Sequence, residues 1–268
     1  MTASHRSVLL IAALAGSMLI TACGATARTG RAGAGPSVTD AGSAPSATLA
    51  PSSLDGCLTA GPATIEAVSD AYGGTLAVAT IGTGPRVVVL SNESDQDLCA
   101  WLPFAGRLVR SGYRVVLWDY GGSSPADELM KVVRYIRSSG ASKIVLMGAS
   151  EGAKSSLVAA AQITPMVQGV VSLSAESVLQ ADINVIDYVR RLHCRLFLLT
   201  ASRDIYGSAQ AAPQFLRAAR SANKHLLTVP GADHGTALLA GRSGRKTVPA
   251  ILSFMRLAFN ADHGAADG

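Results

Sequence analysis

One stretch, Lys143-Ile-Val-Leu-Met-Gly-Ala-Ser-Glu-Gly-Ala-Lys154, constrains this chain more than any other. Residues 144–147 form a short apolar run of the length of a strand buried on both faces. Gly148-Ala-Ser-Glu-Gly152 then interrupts it, and a helix-like segment over 153–163 follows. The reading is strand, sharp turn, helix, with Ser150 at the apex. Small residues two positions to either side of the serine let strand and helix approach without a Cβ clash. The same five residues also fit an ordinary Gly/Ser turn, so the rest of the chain must supply what a reactive serine needs.

Strands and helices alternate around this stretch. Segments 64–68 and 75–81 flank Tyr72-Gly-Gly74 and read as an antiparallel hairpin. After Gly82-Thr-Gly-Pro85, residues 86–90 form the first wholly apolar strand. Further strands are expected over 113–118, 143–147, 169–173, 195–199 and 225–229. Helices are expected over 98–111, 127–138, 153–163, 182–192, 210–222 and 247–260. Repeated β-α units with strands apolar throughout predict a mostly parallel sheet covered on both faces, and right-handed crossovers make it doubly wound. The hydrophobic fraction is 49% but only 5% of residues are aromatic, so Val, Leu, Ile and Ala must fill the core.

This order of elements resembles the α/β-hydrolase superfamily over roughly residues 60–260. The resemblance is carried by Gly148–Gly152, by Gly112-Tyr-Arg-Val-Val-Leu-Trp-Asp119 ahead of a Gly-Gly-Ser-Ser turn, and by Gly231-Ala-Asp-His-Gly235. It implies a serine nucleophile at Ser150, served by a histidine base and an orienting acid in the chain order Ser, acid, His. Asp204 follows the apolar run 196–200, and His234 follows the run 226–229. Both therefore fall at the carboxyl edge of the sheet with Ser150, where open α/β sheets bind ligands. Glu176, after the preceding strand, is the reserve acid. Asp204 could instead be a loop or cap acid, and His234 a plain turn residue. His193 and His225 start strands and lie at the wrong edge, His5 and His263 are terminal, and Asp233 reads as solvated.

The resemblance also implies two backbone N–H donors for an oxyanion. Glu151, after the nucleophile, is one. The second belongs to the loop after the first parallel strand, where Asn92 or Glu93 stands in Ser91-Asn-Glu-Ser-Asp-Gln-Asp97 in place of the usual glycine run. Asn92 could also donate through its side chain, while Glu93, Asp95 and Asp97 fit a solvated acidic loop equally well. About twenty residues separate the strand ending at Leu173 from the one starting at Arg195, enough for one helix and no lid. An open site suits small or exposed carboxylic esters or thioesters. Asp127, Glu128 and Glu151 near its mouth would disfavour strongly anionic substrates. The other reading is a membrane-tethered binding module that kept the fold without turnover, since fold does not imply function.

Residues 1–23 read as an export signal, with His5 and Arg6 ahead of an apolar run over 8–20 too short to span a membrane. Its end, Ile20-Thr-Ala-Cys23, resembles the bacterial lipobox, which implies a lipid on Cys23 and anchorage to the cell membrane. Residues 24–53 are almost all Ala, Gly, Ser, Thr and Pro, a disordered spacer reaching roughly 30 Å. The catalytic domain is then 54–262, with a polar tail at 263–268. With Cys23 lipidated, Cys57, Cys99 and Cys194 remain, and an odd number outside the cytoplasm suggests one disulfide and one buried thiol. Cys194 opens an apolar strand and is read as the thiol, which favours Cys57 with Cys99 while the pairing stays open. The net charge is +5, of which +2 precedes residue 54, and no basic block offers footing for nucleic acid. No Cys or His spacing points to a metal, and the chemistry calls for no cofactor.

Overall fold

A computed structural model describes residues 53–54, 56–59, 63–69 and 75–261. The signal segment, Cys23, most of the spacer and the tail lie outside the described residues. Eight strands form one sheet: β1 Ala63–Ser69, β2 Thr75–Ile81, β3 Arg86–Ser91, β4 Arg114–Trp118, β5 Lys143–Ala149, β6 Gly169–Leu173, β7 Arg195–Ala201 and β8 Lys224–Val229. Their order across the sheet is β8-β7-β6-β5-β3-β4-β2-β1. β1 and β2 pair antiparallel, β2 meets β4 antiparallel, and every other pairing is parallel. The helices are α1 Leu102–Arg110, α2 Pro125–Ser138, α3 Glu151–Ala160, α4 Val185–Val189, α5 Ser208–Ala218 and α6 Gly241–Asn260.

The apolar strands are buried on both faces, as a parallel sheet requires. Along β3, Val87 and Val89 pack into a core with α2 and α3, while Val88 and Leu90 pack into a second core with α1 and α6. All four side chains are fully buried. From β3 the chain steps outward to β4, then returns to β5 on the other side of β3. Chain direction across the sheet therefore reverses beside β3, and the crevice at the carboxyl ends of β3 and β5 is where an open sheet of this kind admits a ligand.

Three expected elements differ. No helix spans 182–192: a small antiparallel pair, Val178–Leu179 with Ile183–Asn184, leads into the short α4. Gln180 turns this pair with φ 54°, a conformation that a glutamine rarely adopts and does not announce in sequence. α6 begins at Gly241, ahead of the expected 247, because Gly244 packs against Leu239 O, which a Cβ would approach to 2.4 Å. Close approach there outweighs the poor helix propensity of Gly-Arg-Ser-Gly. α3 starts at Glu151, directly after the serine, and ends at Ala160. Cys57 and Cys99 are joined in a disulfide, and Cys194 is a buried thiol, its pKa pushed up to about 12 by burial.

Candidate active site

Ser150 ends β5 with φ 48° and ψ −110°, a strained conformation for a residue with a Cβ. Backbone pairing holds it there: its N–H donates to Leu173 O at 2.8 Å, and Lys154 N–H donates to Ser150 O at 3.0 Å. The flanking glycines are required by contact. A Cβ on Gly148 would lie 2.1 Å from Gly152 O, and one on Gly152 would lie 2.2 Å from Ser91 O.

Asp204 and His234 come from the loops after β7 and β8. Asp204 Oδ2 and His234 Nδ1 are 2.8 Å apart, with the Asp204 side chain wholly buried. Ser208, the first residue of α5, donates to the same oxygen at 2.6 Å, and Tyr206 N–H donates to Oδ1 at 2.9 Å. The Tyr206 ring lies against the imidazole, centroids 4.4 Å apart. Burial alone would push the Asp204 carboxyl up. The hydrogen bonds from Ser208, His234 and Tyr206, with the histidine's charge, outweigh it and hold the carboxyl below its ordinary value. The stability Asp204 contributes is therefore complete above the ordinary carboxylate range near pH 4 and lost as pH falls through the lowered folded value. Thermal melting between about pH 6 and pH 2 should show Asp204→Asn flattening the acid limb. An acid limb identical to wild type would remove this assignment.

Glu176 occupies the other side of the imidazole. Its Oε1 is 3.4 Å from His234 Nε2 and accepts from Ser150 Oγ at 3.2 Å. The carboxylate thus stands between serine and histidine, which make no direct hydrogen bond. It is not on the Nδ1 side, where an orienting acid would sit. Lys154 Nζ pairs with Glu176 Oε2 at 2.8 Å and with Glu151 Oε2 at 2.9 Å. Burial opposes the lysine's charge, but the two carboxylates outweigh it and raise its pKa.

The loop after β3 is a buried strut. Asn92 Nδ2 donates to Trp118 O at 3.1 Å and Asp119 Oδ1 at 2.5 Å, so its side chain is committed elsewhere than to an oxyanion. Asn92 O accepts from Gly152 N–H at 2.9 Å and from the Tyr120 hydroxyl at 2.8 Å. Glu93 is buried, not solvated: its Oε1 accepts from Thr236 N–H at 2.8 Å and Thr236 Oγ1 at 2.6 Å. Asp95 and Asp97 are exposed. Among the described residues Glu93 N–H has no acceptor, and Glu151 N–H, in the first turn of α3, has none within its helix. On the other flank Ser174, itself at φ 58°, accepts Gly235 N–H at 3.1 Å. Glu93 and Ser174 therefore bracket the histidine loop. Glu93→Ala should lower kcat by roughly tenfold and stability by about 1–3 kcal/mol, with Glu93→Gln retaining most of both. Equal kcat values in the Ala variant and wild type would show that the loop holds itself.

The cleft over these groups measures about 680 Å³ and is bounded by Glu93, Asp95, Lys154, Glu176, Val178 and Tyr206 around Ser150 and His234. Of the acids expected at its mouth, Glu128 is buried and pins the turn before α2, accepting from Gly121 N–H and from Ser123 N–H and Oγ. Asp127 is exposed and does not line the cleft, and Glu151 is paired with Lys154. Asp233 is exposed and accepts from Ser243 Oγ at 2.6 Å. Sequence reasoning missed Lys154, Ser174, Tyr206, Ser208 and Thr236; of these only Ser208, four residues past Asp204 at a helix start, carried a local signal. Among the described residues no group of three or more His, Cys, Asp or Glu side chains could hold a metal ion.

No protein-family model matches the chain, and no curated protein matches its sequence. Solved structures do resemble it. The esterase Pf2001 of Pyrococcus furiosus superposes with TM-score 0.65 at 14% identity, over 73% of this chain and 90% of that one. Est1E of Butyrivibrio proteoclasticus gives 0.63 at 15% identity, over 75% of this chain and 100% of the other. A monoacylglycerol lipase of Paleococcus ferrophilus gives 0.60 at 15% identity, over 68% and 99%. The fold is the α/β-hydrolase fold.

Proposed function

We propose that this chain is an exported, lipid-anchored serine hydrolase that cleaves small or exposed carboxylic esters or thioesters. The observation that carries the reading is convergence: three residues from three loops line one sheet edge, a strained Ser150, His234 across the Glu176 carboxylate from it, and a buried Asp204 on His234 Nδ1. Structural neighbours that are esterases and a lipase support the choice of bond. The apolar run over 8–20 and Ile20-Thr-Ala-Cys23 support export and anchorage, as does a disulfide, which belongs to an oxidising compartment.

Substrate entry displaces the Glu176 carboxylate, and Ser150 Oγ then faces His234 Nε2. The imidazole takes the hydroxyl proton as Oγ attacks the acyl carbon, and Asp204 holds the tautomer and stabilises the imidazolium. The N–H groups of Glu151 and Glu93 receive the developing oxyanion. The imidazolium returns the proton to the departing alcohol or thiol, and water releases the acyl group by the same route. The neighbouring apolar side chains Val178 and Tyr206, 45% and 62% exposed, offer a surface for an acyl or alcohol group. The binding-module reading is favoured by one observation, Glu176 lying between Ser150 and His234.

A fluorophosphonate probe separates the two. The full chain is treated with probe, the modified peptide mapped by mass spectrometry, and turnover of p-nitrophenyl butyrate followed in parallel. Modification at Ser150 with ester turnover is the expected result. A folded chain that neither labels nor turns over is the binding module.

A further inference from the structure

The position of Glu176 has a chemical meaning beyond obstruction. A carboxylate is also what an ester hydrolase releases, and the acid half of a product lies with one oxygen toward the serine hydroxyl. Glu176 presents that group from within the chain: Oε1 on Ser150 Oγ and beside His234 Nε2, Oε2 on Lys154 Nζ. The lysine is built into this arrangement. Its side chain is 12% exposed, and its second partner, Glu151, sits one helical turn back on α3. If Glu176 swung out, a largely buried ammonium would keep one carboxylate and have N–H donors to spare. An anion in the vacated place restores a charge-assisted hydrogen bond, whereas a neutral group leaves the donor unpaired.

We propose that Ser150, Lys154 and His234 form a carboxylate-binding subsite, filled by Glu176 in the resting chain and taken by a monocarboxylate, the acid product of the reaction, when Glu176 leaves. The proposal deepens the hydrolase reading and rests on it for the identity of the occupant. It also explains why serine and histidine are apart at rest. With Glu176 Oε1 3.4 Å from His234 Nε2 and accepting from Ser150 Oγ, the nitrogen that would take the serine proton faces a carboxylate instead of the hydroxyl. The resting site is thus its own product complex, and Glu176 and free acid compete for one place. A ligand whose competent state is only fractionally populated binds with its affinity reduced by that fraction.

The test titrates sodium butyrate into the full-length wild type, Glu176→Ala, Glu176→Gln and Glu176→Ala/Lys154→Met chains, followed by ¹H–¹⁵N chemical shifts, with butyramide as the neutral isostere. Butyrate should bind Glu176→Ala about tenfold or more tighter than wild type, because the competing state has been removed. Glu176→Gln, which keeps the shape and loses the charge, should fall between and stands in if the alanine variant does not fold. Lys154→Met in the Glu176→Ala background should abolish the gain, and butyramide should show none. Equal butyrate affinities in wild type and both Glu176 variants, or a gain that survives loss of Lys154, would overturn the subsite. Fluorophosphonate labelling of the same four proteins keeps the two failures apart. Carboxylate binding without Ser150 labelling refutes the hydrolase and keeps the subsite; labelling without carboxylate binding does the reverse.

Discussion

Ser150→Ala and His234→Ala should each lower kcat on p-nitrophenyl butyrate by about 10⁴–10⁶-fold, and the double variant should lower it no further. The first half follows from chemistry. A serine hydroxyl at its ordinary pKa is a weak nucleophile, and the base proposed for it is the one imidazole lining the cleft, fixed by a 2.8 Å contact from its Nδ1 to Asp204. The second half tests whether the pair works as a unit. Without Oγ the imidazole has no proton to take, and without the imidazole Oγ has nowhere to send one, so the second loss finds nothing left to remove. What persists comes from substrate binding and from the oxyanion donors, which neither change touches. Asp204→Asn should cost about 10⁴-fold, since it offers Nδ1 the wrong tautomer without moving the ring far. The measurement is kcat for the wild type and the four variants under saturating ester. Losses that multiply in the double variant would mean that Ser150 and His234 act separately, and the triad would be abandoned.

Glu176 sharpens this expectation, because it separates the two residues at rest. If Glu176 were itself the serine's base, His234→Ala would cost little, since the 3.2 Å contact from Ser150 to Glu176 would survive. A carboxylate is by nature a far weaker base than an imidazole and would take a serine proton poorly. The two assignments therefore differ by orders of magnitude in one variant.

How much of this could be read in sequence depended on range. Strand period, the Gly-x-Ser-x-Gly turn and the order of Ser150, Asp204 and His234 are features of chain order, and a parallel sheet converts chain order into position at one edge. The strands and the edge were therefore legible. The contacts that complete the site are different in kind. Glu93 meets Thr236 across 143 positions, Ser174 meets Gly235 across 61, and Glu176 enters the gap by the direction of one side chain. Nothing periodic marks them. Glu93 looked like one acid among several in a polar loop, and only the glycine at 235, where a Cβ would collide with the Glu93 carboxylate at 2.2 Å, records its burial. The 182–192 segment misled for a local reason: its apolar spacing fits a helix, but Gln180 turns the chain back first.

Gly152→Ala should lower Tm by roughly 6–12 °C and kcat by about 10²–10³-fold. The added Cβ would stand 2.2 Å from Ser91 O and 2.6 Å from Asn92 O, both backbone atoms at the end of β3, so no side chain can turn aside to make room. Relief requires α3 to move off the strand, straining the 2.9 Å hydrogen bond from Gly152 N–H to Asn92 O. Overpacking of this kind costs about 1–3 kcal/mol and more where backbone is the obstacle, a large share of a typical domain's stability. The kinetic loss has a separate origin. Glu151 N–H lies on the helix side of this contact and Glu93 N–H on the strand side, so widening it would part the two proposed oxyanion donors. Misplacing one such donor is worth 2–3 orders of magnitude, about as much as deleting it. Gly106→Ala, in the middle of α1 where the nearest atom to a new Cβ is the end of the Arg110 side chain at 3.4 Å, is the matched control and should be neutral or slightly stabilising. Melting curves and kcat for the two variants decide the point. A Gly152→Ala chain that melts with wild type would mean the strand end yields freely, and a chain that melts lower yet keeps its kcat would place the oxyanion donors elsewhere than Glu151 and Glu93.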